Sequence, residues 1–446
     1  MVGVIYTGLQ KAPEGKTVSL EKMAEARVLV VGGGGREHAI VDALYRSPQV
    51  GKIFCAPGNA GIAQQAECVP IKDNDIEALL TFAKQYSIDL TVVGPEVPLS
   101  MGIVDAFTEE GLDIFGPSGE AALIEASKDF AKELMAKYGV PTASYRTFTD
   151  YGDALSYVKG QGSFPVVLKY DGLAAGKGVV IAENLEEADA TLKDMLVEDA
   201  FGEGKVVIEE FLSGPEFSLM CFVAGDKVYP MEIAQDHKRA YEGDKGPNTG
   251  GMGAYSPVPL ITDEDKEFAV HEIMEKVAAG MVSEGRPFYG VLYGGLMKTP
   301  AGVKVIEFNC RFGDPETEVV LPRLRSDIYD IFKAIARGED PGEILWDGEQ
   351  TLGFVLASKG YPGHYAKGFE ITGLKEAAED PDIIIYHMGT ASKDEKILTG
   401  GGRVLMVVGK GENLQEARDK ASEAVGKITC GNLFHRSDIG WRVLGK

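Results

Sequence analysis

The stretch Lys304-Val305-Ile306-Glu307-Phe308-Asn309-Cys310-Arg311 constrains the fold more than any other. Read with period two, Val305, Glu307, Asn309 and Arg311 share one side of an extended chain, and Ile306, Phe308 and Cys310 the other. The apolar side makes this a strand packed on a core. The turn Thr299-Pro300-Ala301-Gly302 joins it to the apolar run Tyr289–Lys298, which predicts an antiparallel hairpin. The opposite side carries a carboxylate, an amide oxygen and a guanidinium, neighbours roughly 7 Å apart. Glu307 and Asn309 suit a hard cation such as Mg²⁺, and Arg311 suits a second anion. Taken alone, such a triplet is ordinarily a solvated strand face, so the rest of the chain has to decide.

The first clear strand, Arg27–Val31, ends in Gly32-Gly33-Gly34-Gly35-Arg36-Glu37-His38 and leads to a helix from about Ala39 to Tyr45. Free N–H groups at a helix start face such a turn and make it an anion site. A dinucleotide fingerprint fits poorly, because its third glycine falls on Glu37. The next strand, Lys52–Ala56, also closes in Cys55-Ala56-Pro57 without a ribose-binding acid. Pro57-Gly58-Asn59-Ala60-Gly61, Leu90–Glu96 and Ile114–Ser118 repeat the strand-to-loop pattern. Parallel sheets gather ligands at the carboxyl ends of strands, so these loops should line one crevice.

Ser127 is expected to cap a helix bearing Phe130, Leu134 and Tyr138, ended by Gly139 and Pro141. Lys128 stands in its first turn, where the helix dipole disfavours a cation unless a ligand phosphate pins it. The strands Phe164–Tyr170 and Val179–Ala182 flank a glycine-rich run. It is not a P-loop: the spacing is one residue short, no Ser or Thr follows Lys177, and a strand comes next. It predicts a flap whose N–H groups, around Gly172, Gly176 and Gly178, fold over phosphates, with Lys169 pointing at what it covers. Glu209 and Glu210 close the apolar strand Val206–Leu212, and Glu216 follows a Gly-Pro turn. These acids suit an amino group, ribose hydroxyls or water. The strand Lys227–Ala234 leads to Gln235-Asp236-His237-Lys238-Arg239 and a long loop, 240–257. Loops of that length are usually functional or disordered, and the lack of a polar tract favours function. A helix is expected over about Asp263–Glu284. From about residue 337, strands near Leu352–Ser358, Asp382–His387 and Arg403–Val408 and a helix starting at Asn413, with Glu416 placed for a capping box, predict an α+β closing module without a catalytic constellation.

The chain has no H-E-x-x-H and no G-x-S-x-G. What recurs is phosphate handling, which favours phosphoryl transfer from ATP by positioning and electrostatics. The succession GGREH, PGNAG, GPE, KYDGLAAGKGV, EEFL, QDHKR, GPNTGGMGAYSP and EFNCRFGDPE strongly resembles the phosphoribosylamine–glycine ligase family of the ATP-grasp superfamily, over about residues 27–446. The resemblance implies an α/β and α+β multidomain fold. Residues 1–26 would be an extension, 27–126 a parallel α/β substrate domain and 127–336 the ATP-grasp domain, with a mobile flap subdomain at about 147–215. Residues 337–446 would be a small α+β domain.

The implied reaction joins glycine to 5-phosphoribosylamine through glycyl phosphate, with ADP and phosphate released, in de novo purine synthesis. Another ATP-grasp carboxylate–amine ligase is the nearest alternative. By motif, Lys128 and Lys169 would contact ATP phosphates beneath Gly172, Gly176, Lys177 and Gly178. Glu209, Glu210, Phe211 and Leu212 would hold adenine, partly through backbone, and Glu216 the ribose. Glu307 and Asn309 would bind Mg²⁺, or Mn²⁺ in its place. Arg311 and Gly313-Asp314 would hold glycine or its acyl phosphate, which makes Lys169, Arg311 and Asp314 the catalytic candidates. Gly33, Gly34, Gly35, Arg36, Glu37, Gly58 and Asn59 would enclose the phosphoribosylamine, together with Asn248, Thr249, Gly250, Gly251 and Met252. Asp236, Lys238 and Arg239 would complete the substrate site. In one departure from many ATP-grasp enzymes, Val291–Met297 carries no acid on the partner strand, which leaves a second metal site in doubt.

With 68 acids against 45 bases the formal charge is -23, which argues against broad nucleic-acid or anionic-membrane binding. The five cysteines include no C-x-x-C, as expected of a reducing compartment. No apolar run approaches the ~18 residues of a membrane span, and Val2–Leu9 lacks the basic flank of a signal peptide. The expectation is a cytoplasmic monomer or weak homodimer. A nicotinamide oxidoreductase and a nucleotide-binding scaffold that does not consume ATP are the rival classes.

Overall fold

The computed structural model describes residues 25–172, 178–198 and 204–445. All but the end of the expected 1–26 extension lies outside the described residues, as do Gly176 and Lys177 of the flap. Five parallel strands form the first sheet, in the order Glu67–Cys68, Val50–Pro57, Ala26–Gly32, Leu90–Val93 and Ile114–Phe115. Ala26–Gly32 is central because Val28 to Val31 are buried on both faces. The following helix starts at Gly35, a turn ahead of the expected Ala39. Glu37 is the cause: its carboxylate reaches back to accept from the Gly34 N–H at 2.6 Å, as the third helical residue of a capping box does.

The predicted hairpin is present. Phe288–Thr299 pairs antiparallel with Gly302–Asn309 in a sheet that also holds Glu216–Gly225 and Lys227–Pro230. Strict alternation fails within it. Gly295 faces Glu307 and Leu296 faces Val305, so Ile306 has no partner and forms a β-bulge. Val305 therefore joins Val303, Phe308 and Cys310 in the core, whereas Ile306, Glu307 and Asn309 remain half-buried. The expected helix over 263–284 runs from Asp263 to Ser283, with a π segment at Ala269–Met274.

Tyr145–Phe148, Val206–Glu210, Val166–Tyr170 and Val179–Ala182 form an antiparallel sheet. Ala154, Val158, Leu168, Leu192 and Ile208 give it a core of its own. The strands flanking the glycine-rich run are thus antiparallel, as expected.

The stretch 240–257 is not one loop. Arg239–Tyr241 and Lys245–Asn248 pair as a hairpin, and Gly253–Ser256 joins Gln350–Ser358. A glycine is required at that joint, because a Cβ on Gly253 would lie 2.6 Å from the Gly353 carbonyl oxygen. The same sheet contains Gln235–Asp236, Arg403–Gly411 and Ile383–His387, so the segments around QDHKR and GPNTGGMGAYSP are built onto C-terminal strands. The last long helix is capped by Asn413, which accepts from the Glu416 N–H at 3.0 Å. Among the described residues no helix is long and apolar enough to cross a membrane.

The first helix meets the C-terminal sheet at a pair of buried histidines. The His387 N–H donates to His38 Nδ1 at 2.8 Å, and the rings lie 5.7 Å apart. Burial pushes His38 down to about 4 and His387 down to about 3. Unfolded histidines titrate near 6.5, so as pH falls below that value the unfolded chain takes protons that the folded pair refuses. Stability should drop by up to about 3 kcal/mol per histidine on acidification to about pH 4.5. Thermal melts of the parent and His387→Gln across that window test this. The variant should lose less on acidification, and an identical slope would remove His387 from the account.

Candidate active site

The bulged strand is where two walls meet. On one side Ser127 caps the helix Lys128–Tyr138 by accepting from the Phe130 N–H at 3.1 Å. Asp171, at the mouth of the flap, accepts from the Lys128 N–H at 2.6 Å and the Asp129 N–H at 3.2 Å. Lys128 Nζ donates to the Gly172 carbonyl at 3.0 Å, which ties the helix start to the flap. Burial holds Lys128 below the ordinary ammonium range, against the pull of Glu307.

Lys169 is buried, and its Nζ donates at 2.9 Å to the carbonyl of Ile306, the bulged residue. It also pairs with Glu209 Oε1 at 3.0 Å, while Glu209 Oε2 lies 3.1 Å from Lys132 Nζ. Burial pushes Lys132 down to about 8. The Glu209 side chain is enclosed between these two lysines. Such a charge can sit inside because both of its oxygens are paired. Lys132 escaped notice in the sequence, although it lies one helical turn after Lys128 and so shares its face. Glu210 likewise braces the strand, accepting from the Ser144 N–H at 3.0 Å and pairing with Lys304 at 3.2 Å. Phe211 is exposed and Leu212 half-buried beyond the strand end.

Burial alone would raise the Glu307 carboxyl, yet it is held below its ordinary value by Lys238, Lys169, Lys128 and Arg311. Tyr293, Gly294 and Gly295 stand opposite Asn309, Phe308 and Glu307, so no acid faces the pair from the neighbouring strand. Lys238 pairs with Glu216 at 3.2 Å. Burial, reinforced by Glu316 and Glu216 against Lys238, pushes Asp236 up to about 7. The Arg239 side chain is spent within its own hairpin, on the Gly246 carbonyl at 2.9 Å. Asn248 is exposed there and pairs with Arg239 along the backbone.

On the other wall Arg311 is held by acids of the first domain, Glu96 at 3.2 Å and Glu125 at 2.9 Å, and donates to Asn309 Oδ1 at 3.3 Å. Asn309's oxygen is therefore shared between the guanidinium and any cation. Arg36 pairs with Glu37 at 2.6 Å and donates to the Phe312 carbonyl at 3.2 Å. Asn59 donates to the carbonyls of Gly33 at 2.9 Å and His387 at 2.7 Å. Gly33 and Gly58 touch backbone to backbone, since a Cβ on Gly33 would lie 2.6 Å from the Gly58 oxygen. Asp314 pairs with Arg403 at 2.9 Å, and Arg403 also donates to the Gly250 carbonyl at 2.8 Å. The closing module, expected to carry no catalytic constellation, thus supplies the cation that ties Asp314 to the Gly250 carbonyl.

Comparison with known proteins places most of the chain in one family. Models of phosphoribosylglycinamide synthetase match in three parts: the N domain over residues 26–125, the ATP-grasp (A) domain over 126–317 and the C domain over 351–442. The chain belongs to the phosphoribosylglycinamide synthetase family. It is 51% identical over 421 residues to the phosphoribosylamine–glycine ligase of Halalkalibacterium halodurans, which covers 94% of this chain and 97% of that one. The Listeria monocytogenes protein of the same name is 54% identical over 418 residues, covering 93% and 99%. The crystal structure of phosphoribosylamine–glycine ligase from Thermotoga maritima aligns with a TM-score of 0.82 at 35% identity, over 93% of this chain and 100% of that one.

Gly33, Gly34, Arg36, Glu37, Gly58 and Asn59 are linked by the contacts above, and Arg36 reaches the Phe312 carbonyl beside Gly313-Asp314. Arg403 joins Asp314 to Gly250, while Gly35 packs on Glu318 and Gly251 on Pro315. Thr249 bonds to the Lys238 carbonyl at 2.9 Å, and Met252 is buried behind it. Lys128, Lys169, Lys238 and Glu307 form a second cluster beside it. Among the described residues no three His, Cys, Asp or Glu side chains gather as a metal site. Glu307 and Asn309 offer one carboxylate and one amide oxygen on that strand, donor types that suit a hard cation.

Proposed function

We propose that this chain joins glycine to 5-phosphoribosylamine at the expense of ATP, giving glycinamide ribonucleotide, ADP and phosphate in de novo purine synthesis. One observation carries the reading: an ionised Glu307 lies among Lys128, Lys169 and Lys238 on a bulged strand, beside the mouth of a glycine flap. The lysines would draw charge from the γ-phosphoryl group as the glycine carboxylate receives it, in a site where fixed charges need no reorganisation. Glu307 and the Asn309 oxygen would hold Mg²⁺ or Mn²⁺, which when bound supplies further neutralisation of the phosphates. The amine of phosphoribosylamine would then displace phosphate from the acyl phosphate, without a protein nucleophile. The turn at Gly33–Glu37, at a helix start, supports a role in receiving the ribosyl phosphate. On this reading 27–126 holds the phosphoribosylamine, 127–336 the ATP and glycine, and 337–446 closes the site through Arg403. The acidic charge and five free cysteines support a cytoplasmic location.

ADP release measured with glycine and phosphoribosylamine each omitted in turn tests the reading. Release should require both, and full release with neither would overturn it. Lys169→Ala should raise the KM for ATP or lower kcat by about tenfold or more, as loss of a phosphate-side charge does. An unchanged profile would make Lys169 structural.

A further inference from the structure

Four carboxylates gather where the Gly33–Gly35 turn meets the segment Phe312–Glu318, and three of them are paired. Glu37 bonds Arg36 and the Gly34 N–H, Asp314 pairs with Arg403, and Glu316 accepts from Ser218 Oγ at 2.9 Å and Tyr293 OH at 2.8 Å. Glu318 differs. It is fully buried, and neither of its oxygens has a hydrogen-bond partner among the described residues. Its Oε1 is seated against Gly35, where a Cβ would come within 2.4 Å of that oxygen and within 2.8 Å of the Met388 side chain. The charged and titratable groups that face it are Asp314 and Glu316 from its own segment, Arg403 from one C-terminal strand and Tyr386 from another. Arg403 is already engaged by Asp314 and the Gly250 carbonyl. Burial, with Asp314 beside it, raises the Glu318 carboxyl well above the ordinary range, against the lesser pull of Arg403 and of its own backbone N–H. An unpaired carboxylate withdrawn from water takes up a proton sooner than bear the desolvation.

We propose that Glu318 is kept as the neutral acid and is a positioning residue. As an uncharged group packed under Gly35, it supports the helix start and leaves that anion site free of a fourth negative charge. The inference rests on the proposed function only in taking the ligand at this turn to be the substrate phosphate. Ionisation at alkaline pH would place a charge directly behind that phosphate and weaken its binding.

Glu318→Gln keeps the shape and removes the titration. Glutamate in the unfolded chain ionises near 4.3, so each step above that value favours unfolding of the parent but not of the variant. The variant's Tm should match the parent's near about pH 4.5 and exceed it increasingly towards about pH 8. Its KM for phosphoribosylamine should stay within about threefold of the parent's at pH 7 and rise less towards about pH 9. A Tm difference that does not change with pH, or a KM raised about tenfold at pH 7, would overturn the proposal. Glu318→Leu, also chargeless, gives the same melting comparison if Glu318→Gln does not fold. Failure of the parent to ligate would count against the proposed function, while the melting comparison would still judge Glu318.

Discussion

Glu307→Gln should lower kcat/KM by about a hundredfold or more at ordinary Mg²⁺, the scale on which loss of one preorganised electrostatic group is felt. The substitution keeps the shape of the side chain on the bulged strand and removes its charge. No acid stands opposite to substitute for it, since the facing residues are Tyr293, Gly294 and Gly295. Asn309 is a weak replacement because its oxygen already accepts from Arg311 at 3.3 Å. The loss should also leave Lys128, Lys169 and Lys238 without the carboxylate they surround. ATP alone should therefore bind the variant at least as well as the parent, while the advantage of adding Mg²⁺ shrinks. Calorimetric titration of ATP with and without Mg²⁺ separates the two effects, and raising Mg²⁺ or Mn²⁺ should recover part of the rate. Near-normal turnover at low metal would dismiss Glu307 as the metal ligand.

What could be read from the chain in advance was local. The glycine turn after Arg27–Val31, the Ser127 cap and the hairpin around Pro300 each depend on residues close in sequence, and each is present. Glu37 as a capping residue was equally local, three positions after Gly34, but the run of glycines disguised where the helix starts. The bulge at Ile306 was not legible, because it exists only in the register with Leu296 and Gly295. Gly253–Ser256 read as loop for a similar reason: glycine content signals a turn until a neighbouring backbone is known to need the space. Arg403 lies 89 residues from Asp314 in a strand with no motif, so nothing nearby announced it. Glu209 looked like a ligand acid because its two lysines come from other elements. The motifs marked the segments, and packing with distant elements decided which of their side chains are already paired.

Glu209→Gln should cost the flap sheet about 3–5 kcal/mol, the usual penalty for removing one partner of a buried ion pair. Each Glu209 oxygen holds one lysine, at 3.0 and 3.1 Å, so the substitution strands two buried ammonium groups rather than one. Among the described residues Lys132 keeps only Thr142 Oγ1 at 2.8 Å, the more distant Ala143 carbonyl and the Tyr145 ring. With the carboxylate present it is already down at about 8, and in the variant it falls further. A lysine whose folded value is depressed destabilises most at low pH, so the penalty should shrink as pH rises through that value. Hydrogen exchange along Val206–Glu210 reads the loss locally, which matters in a multidomain chain that need not unfold in one step. ATP should restore part of the protection, because phosphate oxygens would give Lys169 a new anion. Thr142 also donates to the Val305 carbonyl at 2.8 Å, so a loosened Lys132 should reach the strand of Glu307 and raise the KM for ATP as well. Unchanged exchange along Val206–Glu210 would show that the two lysines do not depend on Glu209.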